Sequence, residues 1–516
     1  MNMKNIILTF IVTVVFATSL FSQGREGTIW YFGTYAGVDF NSGSPVALLD
    51  GQLQTQEGCA TICDPNGNLL FYTDGSDVWN SLHVFMMNGQ GLMGSSSSTQ
   101  SAVIIPKPLN PNIYYIFTVD DNIGTDGLRY STVNMNLAGG YGSVVSLNNM
   151  LFTPACEKIT GVSHANGMDI WVITHQWSTM NFMTYLVTSN GVQSTTPVIS
   201  SIGTLPSGNS ANTRGYLKAS PDGAKIALGI EGMDLYELYD FNNITGQLTN
   251  VMVLFPPASI GSFQDAYGVE FSSDGTKLYG SRRWGNPIFQ WDLMAGSPAL
   301  INASCTEVGN MSGGDGGALQ LAYDGKIYVT RDDQMYLGVI NFPNSLGTAC
   351  NYVNNGFYLQ GRHGDEGLPT FVASFFNVAE FDYQNTCIGD VTMFNITNTT
   401  LLDSAYWYFS DIPSGAANTS TLWTPGHIFT YPGDYDVYLI TYRSGWPDTA
   451  LQTITINPLP TIDLGNDTTI CYGANVVLDA GNTGANYLWS TGATNQTINV
   501  SPNATSYYSV NVEEFG

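Results

Sequence analysis

The side chains with enough chemistry to define a site in this chain are carboxylates and arginines, and they are scattered. A hydrolytic acid–base pair could be drawn from Asp120, Asp121, Asp126, Asp265, Glu270, Asp332 and Asp333, since glycoside cleavage needs one carboxyl as acid and a second as base or nucleophile. No spacing rule selects among them. Arg129, Arg214, Arg282, Arg283 and Arg331 could hold a substrate carboxylate if the fold brought them to one mouth. Calcium is the one cofactor the acidic groups would suit, with Asp120, Asp121, Asp332, Asp333, Asp434 and Asp436 as hard oxygen ligands. Surface acidity explains those pairs equally well, and the metal site is left open.

Other chemistries find no foothold. The sequence holds no G-x-S-x-G elbow, H-E-x-x-H pair, phosphate-binding loop or dinucleotide fingerprint. Gly313-Gly314-Asp315-Gly316-Gly317 leads into the strand-like Leu319-Gln320-Leu321, where no helix dipole would meet a phosphate; a tight backbone approach is the expected cause. His164 and His175 flank one hairpin, and His427 reads as a structural hydrogen-bonding residue. Seven cysteines are an odd number, allowing at most three disulfides, with Cys305–Cys350 the expected pair. Cys59 and Cys63 have no second pair at zinc spacing. Formal charge is −26, and residues 381–516 carry twelve acidic side chains against Arg443 alone. A field of this sign repels phosphate backbones and excludes nucleic acid as a partner.

The elements that must position these groups are strands. Charged residues make up only 11%, while Gly (56), Tyr (29) and Phe (25) are abundant, a composition suited to pleated surfaces and tight turns. A turn followed by an apolar-aromatic strand recurs at Asn66-Gly67, Asn166-Gly167, Asp222-Gly223, Asp274-Gly275 and Asp324-Gly325, with a looser copy at Asn110. The last three glycines lie 52 and 50 residues apart. Two-residue type I′ hairpins are expected there, since that turn favours Asn-Gly and Asp-Gly. A period near fifty residues predicts β-propeller blades, about seven of them across residues 24–380. No helix is expected after residue 23.

Met1–Ser22 has a basic start, an apolar run and small residues before Gln23, the pattern of a secretory signal peptide over 1–23. No later segment approaches the ~20 apolar residues that span a bilayer, so a mature chain without a transmembrane segment is expected. Asn457-Pro458-Leu459-Pro460 marks a linker, dividing the remainder into small domains at 381–458 and 459–516.

Within the first of these, Tyr406-Trp407-Tyr408-Phe409-Ser410-Asp411, Pro425-Gly426-His427-Ile428-Phe429 and Gly433-Asp434-Tyr435-Asp436-Val437 stand in the order and spacing of a known motif set. The segment resembles the PKD domain, departing from it at Tyr408, Ser410 and Phe429. The final segment, with Cys471, Tyr487-Leu488-Trp489 and Tyr507-Tyr508, is similar to Ig-like repeats of Bacteroidetes-type cell-surface proteins, whose N-terminal half the Trp30-Tyr31-Phe32-Gly33 region also resembles. The resemblance implies export by a type IX-like route and a secreted or outer-surface location. The expected architecture is all-β: an N-terminal β-propeller followed by two small Ig-like/PKD-type β-sandwiches. The leading expectation for function is a surface binding or adhesion scaffold taking a protein or glycan ligand. A carbohydrate-active propeller enzyme (hydrolase or lyase) and a purely structural surface component are the alternatives.

Overall fold

The computed structural model describes residues 25–256, 265–283, 287–376, 379, 381–397, 402, 404–443 and 446–513. The expected signal peptide lies outside them. The chain forms two compact units, one built on residues up to Ala379 and the other on residues 380–397, 404–440 and 450–516.

The first unit is a β-propeller. Each blade is an antiparallel sheet in which consecutive strands are neighbours, except that in the third Val198–Ser201 skips Gly191–Val192 and pairs with Asn181–Thr188. Blade 1 comprises Ala60–Cys63, Leu69–Thr73, Asp77–Asn80 and Phe85–Gln90, and blade 2 comprises Ala102–Lys107, Asn110–Val119, Leu128–Asn134 and Ser143–Phe152. Their outer edges join through a parallel bridge at Met87 and Ser143. Blades 3 to 6 begin with the innermost strands Ala155–Ser163, Leu217–Ala219, Ala266–Phe271 and Gly316–Leu321. A last, three-stranded sheet comes from the N-terminal side: Ile29–Phe32, Ala36–Asp39 and Val46–Leu48.

The segment 363–372 closes the ring against that sheet. Thr34 donates its amide to His363 O at 2.9 Å, Glu366 donates to Gln56 O at 2.9 Å, Ala318 donates to Glu366 O at 2.8 Å, and Thr370 donates to Cys59 O at 2.9 Å. One stretch near residue 366 therefore ties blade 6, the N-terminal sheet and blade 1 together. Gly317 lies against it, where a Cβ would sit 2.4 Å from Glu366 O, so the glycine run does serve a close backbone approach. Aromatic pairs lock adjacent blades: Phe71–Tyr114 at 5.6 Å, Phe182–Tyr239 at 5.0 Å, Tyr236–Trp291 at 5.2 Å and Trp30–Tyr328 at 5.8 Å between centroids. Such contacts are worth about 0.5–1.5 kcal/mol each beyond their area burial.

Five repeated turns join the innermost strand to the second strand of their blades, as the repeat predicts. Their type differs from expectation. Gly67, Gly167, Gly223, Gly275 and Gly325 have positive φ, but the preceding Asn or Asp does not. The glycine amide closes a four-residue turn, for example Gly223 N to Ser220 O at 2.8 Å and Gly275 N to Ser272 O at 2.9 Å. These are type I turns ending in a left-handed glycine, with Pro221 at the second position and Asp222 at the third. The Asp side chain is what selects the turn, since Asp222 Oδ1 accepts the Ala224 amide at 3.0 Å. A short helix also departs from expectation: Pro298–Ala303 forms one, started by Ser297 Oγ accepting the Leu300 amide at 3.3 Å.

The second unit is also built from strands. Phe381–Gln384, Thr392–Ile396 and Gly426–His427 form one sheet; Thr419–Ser420, Ser404–Tyr408, Gly433–Arg443 and Trp446–Ile456 form another. Trp407, Phe409, Val437 and Leu439 are buried while Tyr408 is partly exposed, the alternation that a half-buried strand requires. Farther on, Val476–Asp479 pairs with Thr497–Val500 and Asn486–Trp489 with Val510–Glu513, around Tyr487, Trp489 and Val512.

All seven cysteines are free thiols, which overturns the expected Cys305–Cys350 disulfide. The Cys350 thiol engages the Tyr279 hydroxyl, while Cys305 lies near Arg282. Burial pushes the thiols of Cys63 and Cys156 up to about 12, so they act as small apolar groups.

Candidate functional site

The innermost strands of a propeller start at one end of the ring, and the second strands return to that end. Residues just before the former and just after the latter are thereby gathered around the axis. Glu57 precedes the first strand of blade 1, Arg214 that of blade 4, Asp265 that of blade 5 and Asp315 that of blade 6; Glu366 lies in the closing segment. Glu231 and Arg283 directly follow the second strands of blades 4 and 5, Lys225–Ile230 and Lys277–Arg282.

Arg283 is the hub. Its Nε and Nη2 donate to Glu366 Oε1 at 3.1 and 2.8 Å, and Nη2 lies 2.7 Å from Glu366 Oε2. Its Nη atoms also face Glu57 Oε1 at 3.5 Å and Glu231 Oε1 at 3.6 Å, and the guanidinium stands 5.7 Å over the Tyr267 ring. Arg214 shares Glu231 Oε1 at 3.3 Å and donates to Asn122 Oδ1 at 3.2 Å. Beside it, Glu157 accepts from the Thr99 amide at 3.2 Å, the Asn122 amide at 3.0 Å and the Thr213 hydroxyl at 2.8 Å. Glu57, Glu231 and Glu366 are almost wholly buried, whereas Arg214, Asp265 and Asp315 are partly exposed.

Glycines make this convergence possible. A Cβ on Gly58 would lie 2.0 Å from Ser101 N, and one on Gly367 would lie 1.7 Å from Glu57 O. Backbones that close admit no side chain, and each glycine follows one of the glutamates that meet at Arg283.

Burial and neighbouring acids hold the Glu57 carboxyl well above the usual range, and it hydrogen-bonds Glu366. Glu366 is also raised by burial, with Arg283 opposing. The pair therefore shares a proton that resides on Glu57, leaving Glu366 as the carboxylate that faces Arg283. Burial raises Glu231 and Asp265 as well. Asp365, whose Oδ2 accepts from Thr34 at 2.9 Å, is pushed up to about 6 by burial.

Of the arginines singled out from sequence, Arg214 and Arg283 come together. Arg282 pairs with Asp234 at 2.9 and 2.7 Å, Arg129 with Asp126 at 3.3 Å, and Arg331 donates to Ser312 O at 2.6 Å and to Asn355 Oδ1 at 2.8 Å. Of the carboxylates, Asp265 reaches the mouth. Glu270 is buried against Lys218 at 3.2 Å. Asp120 braces its own loop, accepting from the Asp121 and Asp126 amides, and Asp121 accepts from Asn122 Nδ2. Asp332 donates its amide to Asp315 O at 3.0 Å, and Asp333 Oδ1 lies 2.5 Å from His363 Nδ1. Asp434 and Asp436 accept from Thr455 and Thr453, each at 2.7 Å. Among the described residues no three His, Cys, Asp or Glu side chains are grouped to hold a metal ion. His164 and His175 lie at opposite ends of their hairpin, because Ser163 pairs with Ile170 while Ala155 pairs with Gln176. His427 is buried with Nε2 3.0 Å from Asp411 Oδ2.

Glu57, Glu157, Glu231 and Glu366 were not singled out from sequence. A partial signal for three of them exists: in a chain this poor in charge, Glu-Gly occurs four times beside strand ends, at Glu57, Glu231 and Glu366 and also at Glu26, which is not among the acids paired with Arg283.

No protein-family model matches the chain, and no curated protein matches it. Solved structures similar to it include a Lactobacillus plantarum protein, 16% identical over 70% of this chain and 93% of that one, with a TM-score of 0.36. The periplasmic gluconolactonase PpgL of Pseudomonas aeruginosa is 14% identical over 83% of this chain and 96% of that one, with a TM-score of 0.36. The Swd1 β-propeller domain of Myceliophteria thermophila is 10% identical over 60% and 94%, with a TM-score of 0.36. Strand order and the closing contacts of residues 363–372 define the propeller.

Proposed function

We propose that this chain is an exported binding protein whose propeller recognises a glycan at its axial mouth. In this reading residues 381–458 and 459–516 are PKD-type and Ig-like sandwiches that serve as a stalk at the outer cell surface. The observation that carries the reading is the two-tier construction of the mouth. Buried Glu57, Glu231 and Glu366 around Arg283 form a fixed base, above which Arg214, Asp265 and Asp315 present donors and acceptors to solvent. Rigid, preorganised polar groups of both signs are what hydroxyl-rich ligands require. Screening the full chain against immobilised glycans tests it: binding is expected, and Arg214→Ala or Asp265→Ala should abolish it. Binding that survives both substitutions would refute the mouth as the recognition site.

A second reading is hydrolysis of a carbohydrate substrate, favoured by the Glu57–Glu366 pair. A protonated carboxyl beside a carboxylate, both held by one arginine, is an arrangement that can donate and accept a proton. Turnover on a glycoside panel that disappears in Glu57→Gln would replace the binding reading; absence of turnover across the panel would leave the pair as a structural brace.

A further inference from the structure

We infer that Lys218 and Gln320 become joined, side chain to side chain, by an isopeptide bond that ties blade 4 to blade 6, with Glu270 moving the protons. The inference goes beyond the glycan reading and does not depend on it.

The three residues occupy equivalent places in consecutive blades. Each stands four residues before the aspartate of its blade's turn, Asp222, Asp274 or Asp324. Their strands, Leu217–Ala219, Ala266–Phe271 and Gly316–Leu321, are the innermost of blades 4, 5 and 6, so ring closure brings a primary amine, a carboxylate and a primary amide together. All three side chains are almost wholly buried. Lys218 Nζ lies 3.2 Å from Glu270 Oε2 and donates to Gln320 Oε1. Leu321 fixes the other two groups: its amide donates to Glu270 Oε2 at 3.1 Å, and its carbonyl accepts from Gln320 Nε2 at 2.9 Å. The Phe271 amide holds Glu270 Oε1 at 2.9 Å. Lys158, also buried, is instead caged by the backbone carbonyls of Arg214, Gly215 and Gly229.

An amine attacks an amide carbon only as the free base. Burial pulls the Lys218 ammonium below the usual lysine range, with Glu270 opposing, because a site closed to water disfavours the charged form. Glu270 is the base within reach. It takes one proton from Nζ, whose lone pair then bonds Gln320 Cδ. Glu270 passes that proton to Nε2 as the Cδ–Nε2 bond breaks, and receives the next one from Nζ. Ammonia leaves, Nζ keeps one hydrogen, and nothing is oxidised or reduced. Fixing both partners in one orientation supplies the effective concentration that this slow exchange needs. A cavity of about 10 Å³ adjoins the three side chains and is lined also by Thr160, Phe371 and Phe376. That is close to the room one molecule the size of water or ammonia takes up.

Tryptic mapping of the denatured full chain by mass spectrometry tests the inference. The linked chain should yield residues 215–225, uncut after Lys218, joined to residues 284–326 in one species lighter than the two peptides by one ammonia. Glu270→Gln, which keeps the side-chain volume, and Lys218→Met should both lose that species. A purely structural brace would leave every peptide mass unaltered. Recovery of residues 215–218 and 284–326 as separate, unmodified peptides from the unsubstituted chain would overturn the inference, whether or not either variant folds. An undiminished linked species in Glu270→Gln would overturn the role given to Glu270.

Discussion

Removing the hub of the axial mouth is the most searching perturbation. Arg283→Met keeps much of the stem volume and deletes the cation that faces Glu57, Glu231 and Glu366. Stranding a buried charge by removing its partner costs about 3–5 kcal/mol. Glu57 already holds a proton and Arg214 still reaches Glu231 at 3.3 Å, so the cost falls mainly on Glu366. For a unit of about 350 residues, unfolding entropy near 2.1 cal/mol/K per residue amounts to about 0.7 kcal/mol/K, which converts that cost to a drop in Tm of about 4–7 °C. The drop should depend on pH, because Glu366 can escape the penalty by taking up a proton. Scanning calorimetry of both proteins at pH 8 and pH 5 should give the full loss at pH 8 and less than half of it at pH 5. Arg283→Met combined with Glu366→Gln should recover most of the loss at pH 8. A loss equal at both pH values, or one below about 1 °C, would refute the assignment of Arg283 as the counter-charge of a buried acid cluster.

Stability of the unsubstituted chain should fall as pH rises from about 4 to 7. Glu26, pushed up to about 7 by burial, and Asp365, pushed up to about 6, hold protons in the native state over a range where the unfolded chain has released them; a Tm that climbs steadily over that interval would contradict this. Gly367→Ala should prevent recovery of folded protein, because its Cβ would meet Glu57 O at 1.7 Å, whereas Gly325→Ala, which meets nothing within 4 Å but carries φ +73°, should cost only about 1 kcal/mol; solubility and circular dichroism separate the two. Titration of the denatured chain with a thiol reagent should count seven thiols, and a reducing agent should leave Tm unchanged; fewer thiols would restore a disulfide.

Much of the propeller was legible in the chain because its information is local. Each type I turn needs a short polar side chain and then a glycine within four residues, and each following strand needs its own apolar residues, so the fifty-residue period survives in the letters. Even so, the turn type was misjudged. Asp-Gly suits both a two-residue type I′ hairpin and a longer loop ending in a left-handed glycine, and the Asp222 side-chain bond to the Ala224 amide decides between them. The helix at Pro298–Ala303 was missed because six residues are too few to show a period.

The site was much less legible. The letters alone make the protein acidic, strand-rich and repeated, and put Arg214 in a different repeat from Asp265 and Arg283. Which of them meet was decided only by ring closure, which carries Glu366 back to Gln56 across more than three hundred residues and sets it on Arg283. Facing groups at a propeller axis come from several blades, here Glu57, Glu231 and Arg283 from three, so no interval along the chain encodes them. The glutamates that ring Arg283 carry ordinary letters, and burial at the axis is what gives them a shared proton and a common partner.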